Sequence, residues 1–242
     1  DLDQSFRFEI NLPQRRTVWA KSWLITGPSS AGKTSYLVGL FERMLKGPKA
    51  GRRPILWCST EESIDRSIAP LKKARYSKYY TGVDIGHEAF TAWLEGNPGG
   101  SAADWYKADI QPEINRMVSS SLFVLDDMED SPANYVKNGE GLHKRMEREL
   151  RTGRHVNHST FLLNHRVNSG YFARQAQSSV KWRILFPQSS KSKCVAYLVA
   201  QLNMKLRDAT KLVDEIALTS RWMGIHLHNP VFVCSEIIIR LL

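Results

Sequence analysis

Apolar and polar positions along this chain alternate between two kinds of spacing. Ser22-Trp23-Leu24-Ile25-Thr26 is an unbroken apolar run of strand length, and after it Tyr36, Leu37, Leu40, Phe41, Met44 and Leu45 recur on one helical face. The pattern predicts a buried strand over 22–26 and a helix over about 33–46, stopped by the turn residues Gly47-Pro48-Lys49-Ala50-Gly51. Four more apolar runs read as buried strands: Pro54–Cys58, Leu122–Leu125, Phe161–Leu163 and Val180–Phe186. Between them lie a charged helix over 139–152 with a thin stripe of Leu142, Met146 and Leu150, stopped at Gly153, and a short helix around 170–178. Two helices near 191–203 and 208–218 follow. A final hairpin is expected from 223–228 and 231–234 around Asn229-Pro230. At the other end, Phe6, Phe8, Ile10 and Leu12 alternate before Pro13, as a leading strand and turn would.

Two stretches are less regular. Ser59-Thr60-Glu61-Glu62 spells a capping box with Ser59 as N-cap and Glu62 at the third helical position; a catalytic Glu61 or Glu62 is the competing reading. Residues 76–120 are hardest to read. They hold a loop at Asn97-Pro98-Gly99-Gly100-Ser101 and a helix from Trp105 to Met117, interrupted near Pro112.

Strands alternating with helices imply an α/β fold, a mostly parallel sheet in three layers with a C-terminal hairpin. The 242 residues fit one domain: an arm over 1–20, a candidate insertion over 76–120, and helices and hairpin over 188–242. No internal repeat or low-complexity tract is evident.

The turn between the first strand and helix carries chemistry. Gly27-Pro28-Ser29-Ser30-Ala31-Gly32-Lys33-Thr34 has the form G-x-x-x-x-G-K-[ST], the phosphate-binding loop of nucleoside triphosphatases. Its glycines permit a tight backbone whose N–H groups converge on an anion, and the dipole of the following helix reinforces them. Gly27 through Thr34, with Ser35 in the first helical turn, are therefore the expected ATP-binding residues. Lys33 adds a point charge for the β- and γ-phosphates, and the Thr34 hydroxyl is a hard oxygen ligand suited to Mg²⁺.

Charge and cysteine content narrow the class. With 34 Lys and Arg against 24 Asp and Glu, the formal charge is +10. Such a field favours polyanions, with nucleic acid the leading candidate. Cys58, Cys194 and Cys234 are far apart, which argues against a disulfide scaffold or a zinc module and for a reducing compartment. No apolar run reaches the roughly eighteen residues of a membrane-spanning helix, and no signal-peptide pattern stands in the residues given.

A second chemical element follows. The strand Leu122–Leu125 ends in Asp126-Asp127. The carboxyl end of a buried strand delivers its acids into the crevice where α/β sheets bind ligands. Asp126 would hold Mg²⁺, and Asp127 would activate the attacking water as general base. The next strand ends in Asn164-His165, a polar pair placed to sense the γ-phosphate and the water. Paired acids and a polar sensor favour a hydrolytic motor over a P-loop kinase, whose substrate would be a small acceptor.

The order of these elements, with Gly153-Arg154-His155 through Ser159 to Asn164 after the acid strand, resembles the FtsK–HerA superfamily of P-loop ATPases over about residues 20–187. It is most similar to the viral genome-packaging branch, typified by the DNA-packaging ATPases of poxviruses and virophages. The resemblance implies a RecA-like core with an additional strand between the phosphate-loop strand and the acid strand. It also implies a homo-oligomeric ring, a hexamer or pentamer, that moves double-stranded DNA without sequence preference into a capsid and meets capsid or portal proteins. The expected location is intracellular, in the infected host cell and the virion, and not secreted. Carried onto this chain, Lys33 and Thr34 serve phosphate and Mg²⁺, Asp126 the metal and Asp127 the water. Asn164 or His165 is the sensor, where the family often has Gln. Arg154 is the candidate arginine finger, with Arg148, Arg151 and Arg166 as competitors. Candidate DNA-phosphate contacts are Lys72, Lys73, Arg75, Lys78, Lys181, Arg183, Lys191 and Lys193, with the cation–tyrosine mixture Arg75–Tyr80 able to track a backbone and stack on bases. A DNA helicase or conjugation-type pump is the alternative, followed by a P-loop kinase and a nucleotide-binding assembly protein without catalysis.

Overall fold

The computed structural model describes residues 22–47, 52–61, 65–134, 141–165, 180–227, 232–235 and 239–241. The leading strand over 5–19, the helix over 170–178 and the Asn229-Pro230 turn lie outside these residues. Among the described residues nine strands form a single sheet: β1 Ser22–Thr26, β2 Ile55–Ser59, β3 Tyr80–Asp84, β4 Leu122–Asp126, β5 Ser159–Asn164, β6 Trp182–Leu185, β7 Met223–His226, β8 Phe232–Cys234 and β9 Ile239–Leu241. Their spatial order is β3-β2-β4-β5-β1-β6-β7-β8-β9. The first six are parallel, and β7, β8 and β9 add an antiparallel flank. One strand, β5, separates the phosphate-loop strand β1 from the acid strand β4, the arrangement of a RecA-like P-loop fold with an additional strand.

The apolar runs became the central strands because both their faces are covered. β2, β4, β5 and β6 are buried along their whole length. Alternate residues feed two cores. Trp23, Ile25, Trp57, Val124, Phe161 and Leu163 pack under the helix α1 Lys33–Lys46 and the short helices α2 Ala69–Lys72 and α3 Ala74–Ser77. Leu24, Leu56, Cys58, Phe123, Leu125 and Leu162 face the opposite layer. That layer contains α4 His87–Gly96, α5 Ala102–Trp105, α6 Gln111–Asn115 and α7 Leu142–Thr152. A third core forms where α8 Pro187–Leu202 and α9 Leu206–Thr219 cover Leu185, Met223, Ile225 and Val233.

Residues 76–120 supply an edge strand and a helical cover. β3 pairs with β2 alone, and its Thr81 and Gly82 are exposed, so it lacks the apolar run that marks the inner strands. The helix through Pro112 runs as α5, a π-helical segment Tyr106–Ile110 and α6. The wider turn accommodates a ring that has no N–H to give and crowds the carbonyl four residues back.

Two local expectations change. After Ser59 the chain makes a turn, in which the Ser59 hydroxyl accepts from Glu61 N at 3.2 Å; Glu62 lies outside the described residues. The next helical turn, Arg66–Ile68, is capped by Asp65, whose carboxylate accepts from Ser67 N at 2.7 Å. Gly153 does not end α7 in a left-handed cap. Its φ is −54°, and the chain continues into a 3₁₀ turn over Gly153–Val156. A side chain there would meet Glu149 Oε2 at 2.8 Å. All three cysteines are free and buried. Among the described residues no helix is long and apolar enough to cross a membrane.

Candidate nucleotide site

Parallel register brings the carboxyl ends of β2, β4, β5 and β1 together: Ser59 opposes Asp126, Asp126 opposes Leu163, and Asn164 opposes Thr26. The phosphate loop starts at this edge, where Gly27 N donates to Asn164 O at 3.1 Å. Any side chain at Gly27 would meet Ala31 Cβ and Phe186 Cδ2, each at 3.0 Å. Ser30 and Gly32 have φ values of 62° and 98°, which curl the loop so that its amides can converge. Gly32 then caps α1, and Tyr36 N donates to Gly32 O at 2.8 Å. The first-turn amides of this 14-residue helix lack intrahelical partners and point into the loop's concavity.

Lys33 is buried at the loop's end. Its Nζ donates to Gly27 O at 3.1 Å and Pro28 O at 3.3 Å, and stands 3.1 Å from His165 Nδ1. Burial lowers its pKa, opposed by the charges of Asp127 and Asp126. The same Nδ1 lies 3.3 Å from Ser29 Oγ, and His165 Nε2 lies 2.6 Å from Asp127 Oδ2. An ammonium can only donate, so Nδ1 is the acceptor and the ring proton sits on Nε2, donating to Asp127.

Asp126 faces the α1 layer, in step with Leu122 and Val124, and is 4% exposed. Its pKa is pushed up to about 8, by burial first and by Asp127 second; Lys33 opposes the rise, Asp65 adds to it, and the Trp57 indole opposes it. Strand alternation alone would send Asp127 to the other face. Instead Asp127 adopts a left-handed backbone (φ 49°, ψ 32°) as the chain enters a 3₁₀ turn over Met128–Asp130, and its carboxylate meets His165. Such a conformation in a non-glycine residue is strained and concentrates at functional sites. Burial raises the Asp127 pKa, with His165 and then Lys33 opposing.

Asn164 and His165 separate according to the pleat. His165 follows Phe161 and Leu163 onto the α1 side. Asn164 follows Leu162 onto the opposite side, where its Nδ2 donates to Glu129 Oε1 at 2.9 Å. Glu129 and Asp65 are the residues that sequence reasoning missed. Glu129 carried a signal, a further acid two residues beyond Asp126-Asp127. Asp65 carried none, because its proximity to Asp126 arises only across the folded sheet. A cavity of about 390 Å³, lined by Leu24, Leu125, Leu162, Asp127, Glu129 and Asn164 among others, opens toward the acids from the side away from α1.

The donor set fits Mg²⁺. Thr34 and Asp126 offer hard oxygens, and one buried and one half-buried acid face the buried Lys33, an excess of negative charge that a divalent cation would relieve. Among the described residues no group of three or more His, Cys, Asp or Glu could hold a metal alone. Mg²⁺ takes one or two protein oxygens and completes its shell with phosphate and water.

The remaining predicted residues lie elsewhere. The backbone of Arg154 falls in the turn just before β5, at the amino edge of the sheet. The length of β5, about 20 Å, separates it from the loop in its own chain. Arg148 and Arg151 are exposed on α7, and Arg166 lies outside the described residues. Arg183 is wholly buried in β6, with its guanidinium 4.2 Å from the Tyr197 ring centroid, so it is withdrawn as a DNA contact. Tyr76 is buried in the α1 core and cannot stack on bases, and Lys191 pairs with Asp214. Lys72, Lys73, Arg75, Lys78 and Lys193 are exposed, and Lys181 is half-buried.

No protein-family model matches the chain, and no curated protein matches its sequence. Among solved structures, it is similar to the genome packaging NTPase B204 from Sulfolobus turreted icosahedral virus 2 in complex with ATP-gammaS. That match has a TM-score of 0.46 and 10% identity, covering 92% of this chain and 96% of that one. The N-terminal domain of zonular occludens toxin from Neisseria meningitidis gives 0.40 and 15% identity over 93% and 94%. The pCW3 conjugation coupling protein TcpA gives 0.43 and 13% identity over 92% of this chain and 59% of that one.

Proposed function

We propose that this chain is a Mg²⁺-dependent ATPase that works as a ring on double-stranded DNA, driving it into a viral capsid. One observation carries the hydrolytic part. Lys33, the Asp126-Asp127 pair and His165 converge at the carboxyl ends of β1, β4 and β5, with the acid and the lysine bridged by one imidazole.

The chemistry assigned to the residues is simple. Loop amides and Lys33 hold the β- and γ-phosphates. Mg²⁺, bound by Thr34 and Asp126, would neutralise charge on those phosphates. Asp127 takes a proton from water as the water oxygen bonds to the γ-phosphorus and the bond to the β–γ bridging oxygen breaks. Of the two sensor candidates, His165 stands on the α1 side against Lys33 and Asp127, while Asn164 is held by Glu129 on the opposite face of β5.

The ring and DNA assignments rest on the resemblance and on charge. Arg154 is too distant to serve its own loop, so it would act on a neighbour's nucleotide. The exposed side chains of Val118 and Val156 stand at the same edge and suit a subunit contact. Arg154→Ala should lower turnover about 10³-fold in the assembled protein and leave nucleotide binding intact. Full activity in the assembled variant would remove Arg154 from the mechanism. DNA-stimulated ATP hydrolysis, falling steeply with salt and indifferent to sequence, tests the motor reading. Absence of stimulation in every assembled form would refute it. A strand-displacement assay separates a duplex pump from the alternative helicase, since only the helicase should release a strand.

A further inference from the structure

The geometry points to a second role for His165: it is a latch that holds Lys33 and Asp127 together until a nucleoside triphosphate displaces it. This rests on the ATPase reading above and concerns regulation of the same site. An ammonium carries three hydrogens, and Lys33 Nζ has three partners within 3.3 Å: Gly27 O, Pro28 O and His165 Nδ1. A phosphate that binds Lys33 must replace one of them. The two carbonyls belong to the loop and move only if its turn reshapes. His165 is the partner from outside the loop. It stands one residue beyond β5 with a side chain 39% exposed, so its ring can swing without disturbing a strand.

The other ring nitrogen makes this exchange consequential. Nε2 holds Asp127 Oδ2 at 2.6 Å, and Ser29 Oγ shares Nδ1 at 3.3 Å. One imidazole therefore occupies the phosphate-binding lysine, a loop hydroxyl and the water-activating acid together. When phosphate oxygens take Lys33 and Ser29, the ring loses both contacts on its Nδ1 side and its hold on Asp127 is loosened. Asp127 is released toward water only when the loop is filled. His165 is thus a positioning residue: it acts through Lys33 and Asp127, and no bond of the substrate is made or broken on it.

The test separates binding from turnover. Affinity for a fluorescent N-methylanthraniloyl ATP with Mg²⁺ is measured in the full chain, with no requirement for DNA or hydrolysis. His165→Ala removes the competitor for Lys33 and should tighten binding about 10- to 100-fold, roughly the worth of one charge-assisted hydrogen bond. His165→Gln keeps an acceptor for Lys33 and a donor for Asp127 on a more flexible side chain, and should fall between the two. In ¹⁵N-histidine spectra of the wild type, assigned by the variant, the His165 Nδ1 resonance should shift on adding nucleotide. A purely structural histidine would show neither the tightening nor the graded order. Unchanged or weaker binding in His165→Ala, with wild-type thermal stability, overturns the latch alone. An Nδ1 resonance that ignores nucleotide does the same. A wild-type chain that binds no triphosphate overturns the ATPase reading and the latch with it.

Discussion

Replacing Asp126 by Asn should leave the protein inactive and, above neutral pH, more stable. The carboxyl is 4% exposed, and its pKa is pushed from 3.8 to about 8, chiefly by burial. The unfolded chain ionises this group near its ordinary value. Between about pH 4 and pH 8 the folded protein therefore keeps a proton that the unfolded one has released. Stability is full at the acid end of that window and falls as pH rises through it, by at most about 1.4 kcal/mol per pH unit. At pH 7.5 the ceiling is about 5 kcal/mol, and relaxation around the site should reduce the gain in the Asn variant to about 1–3 kcal/mol. The assay is urea unfolding of wild type and Asp126→Asn at pH 5, 6, 7 and 8, without Mg²⁺ or nucleotide. The difference should grow steadily with pH. A difference equal at pH 5 and pH 8, or a variant less stable than wild type at pH 8, would refute the claim that β4 holds this acid against its own ionisation. Adding Mg²⁺ and nucleotide should restore stability to the wild type and much less to the variant.

Two further substitutions probe the frame around the site. Gly32→Ala places a side chain where φ is 98°, and the nearest atom, Phe186 Cε1, is 3.9 Å away, so backbone strain and not space opposes it. A stability loss of about 1 kcal/mol or more is expected in thermal unfolding, with nucleotide affinity falling about 10-fold as the loop amides lose their convergence. Arg53→Met removes a buried guanidinium that joins the starts of β2, β4 and β5. It donates to Ser120 O and Asn157 O, to Ser159 Oγ at 3.2 Å and to Ser121 O at 3.4 Å. The expected cost is about 2–4 kcal/mol by chemical denaturation, with the nucleotide affinity of the folded protein unchanged because Arg53 stands at the opposite end of the strands from the loop.

Local chemistry made much of this protein legible from its residues in order. The phosphate loop with its strand and helix was readable because a continuous apolar run, a glycine-bounded turn and a 3.6-residue period are all properties of near neighbours. The inner strands were readable because burial on both faces demands unbroken apolar runs, and the acids were readable because they end one. The edge strand β3 was not, since Tyr80-Thr81-Gly82-Val83-Asp84 is half exposed and its only partner, β2, is remote in sequence. The third antiparallel strand, β9, was not read either, although it pairs with its neighbour in the chain, β8.

What the linear order left open was decided across the sheet. Whether Asn164 or His165 faces the phosphate loop depends on the pleat of β5 and on which layer α1 occupies; the fold sends the two side chains to opposite faces. The turn of Asp127 into a left-handed backbone, which brings it to His165, is a conformation that the residue tolerates but does not demand. Arg183 looked like a surface cation and is wholly buried beside Tyr197, because β6 has helices against the face it points to. Composition and short-range periodicity therefore determined the inner elements and marked out the candidate phosphate-binding loop. The strand order, the pairing of Asn164 with Glu129 and the imidazole bridge from Lys33 to Asp127 belong to the tertiary structure, because each joins residues that only the closed sheet makes neighbours.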